Sequence, residues 1–181
     1  MQWYLASTSP RRKEVMDFLH IEYQIIDYDF EERDDVDDPS KLAKINAIGK
    51  AKQAKIDHGT IIAIDTFVIC EGEILEKASN EKDARAMIEF LSGKHQTVLS
   101  GVCFYKPEEE RLEYFEVTTT VQFLELDSQM IDWYISTGEW QGRSGSYSIQ
   151  DQGRLLIESI SGDVWNVVGF PTKAMRKIKS I

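Results

Sequence analysis

Apolar residues fall into short blocks divided by polar turns, and the spacing inside each block predicts an element. Trp3 to Ala6 is an unbroken apolar run of strand length. The turn Ser7-Thr8-Ser9 leads into a helix predicted from Pro10 to Leu19, with Ser9 placed as N-cap, Pro10 at the first helical position, and Val15, Met16, Phe18 and Leu19 as its apolar face. "IEYQIIDYDF" predicts a second strand, and the acidic segment "EERDDVDDPS" predicts a solvated loop. From Ser40 to His58, Leu42, Ile45, Ala47, Ile48 and Ala51 recur at helical spacing.

"TIIAIDTFVIC" reads as a buried strand that turns through Glu71-Gly72-Glu73 into "ILEKA". Asn80 is placed to cap the helix "EKDARAMIEFLSG" and Gly93 to stop it. "HQTVLSGVCFY" and "LEYFEVTTTVQFLEL" predict two strands across the turn "KPEEER". A short helix, "DSQMIDWYISTGE", precedes the glycine- and serine-rich loop "WQGRSGSYSIQDQG". "RLLIESISG", "NVVGF" and a basic helix from Thr172 complete the chain. Hairpins mixed with strand–helix connections predict an α/β fold built on a mixed sheet.

Composition narrows this picture. At 181 residues the chain is expected to be a single domain over residues 1–181, with room for a pinch into two lobes. A formal charge of -10 argues against binding a nucleic-acid polymer, which needs a basic surface. It leaves open a small anionic ligand held by a few gathered cations. No apolar run approaches a membrane span, so no membrane partner and a cytoplasmic location are expected. Cys70 and Cys103 both sit in apolar strand contexts and are expected to be reduced core residues.

Several residues carry candidate chemistry. Asp65 lies inside an apolar strand, where a carboxylate must be paired, protonated or bound to metal. It reads either as a structural aspartate or as a metal ligand or general base. Arg11 and Arg12 stand at a helix N-terminus, where the backbone is already positive, an arrangement relieved by a bound phosphate. Lys50, Lys77 and Arg143 are further cations, and Gln150 offers an amide able to read a base edge. His20, His58 and His95 lack metal-ligand spacing, and neither a Walker loop nor a dinucleotide glycine motif is present.

Five ordered stretches, "LASTSPRRKEVM", "AIDTFVICEGEILEKA", "LSGKHQTVLSGV", "STGEWQGRSGSYSIQDQG" and "SGDVWNVVGFP", together resemble the motifs of Maf-like nucleoside triphosphate pyrophosphatases nearly end to end. The resemblance implies an elongated mixed sheet with flanking helices, two lobes around a central cleft, and a possible homodimer. It implies hydrolysis of a nucleoside triphosphate between the α- and β-phosphates, with a divalent metal, Mg²⁺ or Mn²⁺. The family's proton-accepting aspartate falls on Asp65, which with Glu32 is expected to hold the metal. Arg11, Thr66 and Gln150 fall at positions linked with substrate choice. Ser7, Arg12, Lys50 and Lys77 fall at positions around the phosphates.

"SPRR", "DT" and "YSIQ" resemble the branch acting on dTTP and UTP, with modified pyrimidine nucleotides as an extension. The chain departs from the family pattern in having Gly142-Arg143 before "SGSY" and "EKA" around Lys77. These departures keep a rival expectation in play: a nucleotide-binding regulator of cell division or septum formation without significant turnover. A phosphatase removing only the terminal phosphate is a third.

Overall fold

The computed structural model describes residues 2–179. Its strands are β1 (Trp3–Ala6), β2 (Tyr23–Ile25), β3 (Thr60–Cys70), β4 (Glu73–Leu75), β5 (His95–Lys106), β6 (Arg111–Phe123) and β7 (Ile157–Gly162). Its helices are α1 (Pro10–Phe18), α2 (Pro39–Lys52), α3 (Glu81–Leu91), α4 (Ser128–Ser136), α5 (Val164–Val168) and α6 (Thr172–Lys179). The strands form one mixed sheet in the order β2-β1-β3-β5-β6-β7, with β4 pairing β3 off that path. The α/β class expected from the apolar pattern is the one observed.

β1 runs parallel to both β2 and β3, so each connection must cross over, and α1 and α2 are those crossovers. β3 with β4, and β6 with β7, pair antiparallel. The register Leu5↔Ile62 and Ala6↔Ala63 brings the end of β1 beside the middle of β3. Ser7 follows Ala6, and Asp65 stands two residues beyond Ala63. Open parallel sheets bind ligands outside such strand ends.

The chain divides into two units: one holds residues up to Thr66, Ser100–Val117 and those from Gly169 onward, the other Phe67–Leu99 and Thr118–Val168. In the first, Ala47, Ala51 and Ala54 pack with Tyr4, Ala6, Ile61, Ala63 and Cys103. Alanines at the contact let α2 lie close on the sheet, which brings Lys50 within reach of β3. In the second, Phe123 and Tyr147 meet edge to face with ring centroids 5.0 Å apart. The buried Tyr134 hydroxyl donates to the Ser146 carbonyl at 3.1 Å.

Several boundaries differ from the pattern-based reading for identifiable reasons. The second strand shrinks to three residues, and Tyr28 forms only an isolated bridge with Ala54. α2 begins at Pro39 because Asp38 from the acidic run caps it, accepting from the Ser40 and Lys41 amides. Ser9 occupies the N-cap position of α1 but makes no side-chain cap; its amide instead donates to Ser7 Oγ at 3.2 Å. Phe18, counted on the apolar face of α1, is 64% exposed, and only Val15 and Met16 are buried there. The Asn80 cap, donated to by the Asp83 amide, is as expected, and Gly93 follows α3 with φ of 69°. Both cysteines are buried and unbridged.

Candidate active site

The turn between β1 and α1 places Ser7 and Arg12 on adjoining positions of the site. Arg12 uses three guanidinium nitrogens on three partners: Nε donates to the Gly169 carbonyl at 3.0 Å, Nη1 to Ser7 Oγ at 3.2 Å, and Nη2 to Thr66 Oγ1 at 3.1 Å. The planar fork of arginine suits such divergent acceptors. Thr66 Oγ1 also lies 2.8 Å from the fully buried Ser100 hydroxyl. The Thr66 side chain is therefore held from both sides before any ligand arrives. Burial pushes the Arg12 guanidinium below its ordinary pKa, and the charges of Asp65 and Glu32 pull the other way.

Asp65, one residue before Thr66, is 6% exposed. Its Oδ1 pairs with Lys50 Nζ at 2.8 Å and its Oδ2 accepts from Asn46 Nδ2 at 2.9 Å. Lys50 and Asn46 lie four residues apart on α2, the spacing that puts both on one helix face. Lys50 Nζ also meets Glu32 Oε1 at 2.9 Å, so two carboxylates from separate segments share one ammonium. Glu32 is half-exposed and takes a further hydrogen bond from the Tyr28 hydroxyl at 3.3 Å. Burial, then the Glu32 charge, pushes the Tyr28 phenol up to about 12.

Lys77 and Gln150 belong to the second unit. Lys77 is exposed and forms an isolated bridge with Ser144, while the Gly145 amide donates to the Glu76 carbonyl at 3.1 Å. Arg143 Nη2 pairs with Asp151 at 3.1 Å. Glu139 accepts from the Gln152 and Gly153 amides at 3.2 and 3.0 Å. These bonds fix the loop that carries the exposed Gln150.

The family model for Maf-like proteins matches residues 2–179. The chain belongs to the Maf-like family. Among curated proteins, a dTTP/UTP pyrophosphatase of Thermococcus kodakarensis is 40% identical, covering 98% of this chain and 95% of the relative. One of Pyrococcus furiosus is 39% identical, covering 96% and 92% respectively. One of Dictyoglomus thermophilum is 36% identical, covering 92% and 89%.

In this Maf-like chain the first unit holds two sets of polar contacts, Ser7–Arg12–Thr66 and Glu32–Lys50–Asp65, which meet where Asp65 and Thr66 adjoin in the sequence. Arg11 neighbours Arg12 on the first turn of α1 and is partly buried. Three further residues of the network carried no weight in the sequence: Asn46, Tyr28 and Ser100. The available signal for Asn46 was a polar residue on the apolar stripe of α2, among Leu42, Ile45 and Ala47. His58, without metal-ligand spacing, contacts Tyr4 and Asp57. No helix of the described residues is long and apolar enough to cross a membrane.

Proposed function

We propose that this protein hydrolyses nucleoside triphosphates between the α- and β-phosphates, with dTTP and UTP favoured, releasing nucleoside monophosphate and pyrophosphate. The observation that carries this reading is the Asp65 carboxylate, buried at a strand position and held by Lys50 and Asn46 beside the Arg12–Thr66 pair. The curated relatives named dTTP/UTP pyrophosphatases support the same reaction and substrates.

Each Asp65 oxygen spends one acceptor position on a partner and retains another, which suits the group to orient and deprotonate a water attacking the α-phosphorus. Lys50 meets Asp65 at 2.8 Å, a contact too short for an intervening water, and so fixes the position of the carboxylate. Arg12 and the N–H groups of the first turn of α1 supply positive charge for phosphate oxygens, Arg11 adds a second cation, and Ser7 adds a hydroxyl. Lys77 and Gln150 are proposed as substrate contacts on their motifs alone.

The donor set also fits a divalent cation. Glu32 and Asp65 offer hard carboxylate oxygens, one of each facing the Lys50 ammonium, and Mg²⁺ or Mn²⁺ is commonly held by one or two carboxylates plus substrate phosphates. Among the described residues no group of three or more His, Cys, Asp or Glu gathers, which favours a metal shared with the triphosphate over a closed protein cage. When bound, that ion would neutralise charge on the phosphate oxygens.

Thr66 supports the pyrimidine preference. Its oxygen accepts from Arg12 and shares a hydrogen bond with the Ser100 hydroxyl in which either oxygen can donate; with Ser100 as the donor, the Thr66 proton is left for a base carbonyl. The Gln150 amide carries both a donor and an acceptor, a combination suited to a pyrimidine edge. A panel of nucleoside triphosphates with Mg²⁺ and Mn²⁺, with products identified, tests this. Pyrophosphate and monophosphate, fastest from dTTP and UTP, are expected; orthophosphate and diphosphate, or binding without turnover, would contradict the reading.

A further inference from the structure

Asn46 is 1% exposed and uses three hydrogen bonds to join two separate parts of the site. Its Oδ1 accepts from the Arg33 amide at 2.9 Å, while its Nδ2 donates to the Arg33 carbonyl at 3.0 Å and to Asp65 Oδ2 at 2.9 Å. The amide orientation is fixed by this set. Turned over, it would face an oxygen against a carbonyl and a carboxylate, and a nitrogen against an N–H.

Arg33 follows Glu32 directly. Both backbone polar groups of Arg33 are thus held by a side chain on α2, and the Glu32 carboxylate is delivered to Lys50, four residues further along that helix. The surrounding run, "EERDDVDD", carries a high density of like charge and lies outside the strands and helices. The Asn46 clamp is what this segment has in place of a backbone ladder at Arg33.

Resting on the function proposed above, we infer that Asn46 is a positioning residue of the reaction. It sets the Glu32 backbone and one Asp65 oxygen at a fixed separation, so that both carboxylates meet the same ammonium. It does not touch the reacting atoms. Its effect runs through the orientation of Asp65 and Glu32, and losing such an outer partner commonly costs about 10–100-fold in activity.

Two variants and two readouts test this. Asn46→Leu removes all three bonds at similar volume, and Asn46→Asp keeps the acceptor for the Arg33 amide while placing an anion against Asp65. The expected result is a kcat lowered about 10–100-fold in both, with KM for dTTP within about twofold, in variants that retain the wild-type circular dichroism. Wild-type kcat in folded Asn46→Leu would overturn the proposal. Wild-type kcat in Asn46→Asp alone would also overturn it, reducing the residue to a loop anchor.

Amide exchange at Arg33, followed without nucleotide, reads the clamp independently and is expected to speed up at least about tenfold in Asn46→Leu. Unchanged exchange there would overturn the clamp. Faster exchange in the variant, together with a wild-type protein that turns over no triphosphate, would fault the proposed function and leave the clamp standing. If Asn46→Leu does not fold, Asn46→Ser, which keeps one donor and one acceptor, is expected to show a smaller loss of kcat of the same kind; wild-type kcat there with faster Arg33 exchange would overturn the proposal.

Discussion

Lys50 and Asp65 meet at 2.8 Å inside the fold, with side-chain exposures of 3% and 9%. Removing one member of such a buried pair strands the other in a poorly solvated place. Lys50→Met is therefore expected to lower stability by about 3–5 kcal/mol, with Asp65 and Glu32 left to repel across the gap. Urea unfolding of the wild type and the variant measures this, and an unchanged midpoint would contradict the pairing.

Arg12 is the residue whose geometry cannot be replaced by charge alone. Its fork reaches Gly169, Ser7 and Thr66 at once, whereas a lysine ammonium is a point on a flexible stem. Each charge-assisted bond lost is worth about 1.5–3 kcal/mol. Arg12→Lys is expected to cut kcat/KM for dTTP by about tenfold or more. Steady-state kinetics on dTTP and on a purine triphosphate would show whether selectivity, through Thr66, falls with it.

Gly49 sits in α2 where an added Cβ would run into the Phe30 ring. Elsewhere in a helix, glycine to alanine gains about 1 kcal/mol. Here Gly49→Ala is expected to destabilise, because Phe30 must leave its seat two residues before Glu32. In a Phe30→Ala background the same change is expected to stabilise, so a double-mutant cycle by thermal unfolding should show strong coupling. Additive effects would mean that the ring does not occupy that space in solution.

Burial pushes the Cys103 thiol up to about 12 from its ordinary 9.0. The thiol is neutral in both states below pH 9. Above it the unfolded chain releases the proton while the folded chain keeps it, so this group's contribution to stability is lost as pH rises from about 9 to 12, at up to about 1.4 kcal/mol per pH unit. Cys103→Ala is expected to flatten the alkaline fall in unfolding free energy. An alkaline slope unaltered by that substitution would count against the burial.

Much of this architecture was legible in the sequence. The apolar run around Asp65 marked a buried strand with one costly charge, and the alternation of strands and helices marked a mixed sheet. What stayed hidden depended on tertiary partners. Asp38 looked like one carboxylate in an acidic loop until the start of α2 made it a cap. Glu32 stands in the same acidic run and is marked only by the resemblance, and nothing in the sequence shows that Lys50 reaches it from another element. Asn46 stands out only as a polar residue on an apolar stripe, and its partners lie 13 and 19 residues away. Arg11 and Arg12 are adjacent and chemically alike, and only the fold shows that Arg12 spans to Thr66 and Gly169.

The central claim is that Asp65 activates the water that cleaves the triphosphate. Pyrophosphate release from dTTP and UTP, with Mg²⁺ or Mn²⁺, by the wild type and by Asp65→Asn measures it most directly. The account predicts a rate at least about 10²-fold lower in the variant, with folding and nucleotide affinity retained. Equal rates for the two proteins would contradict it.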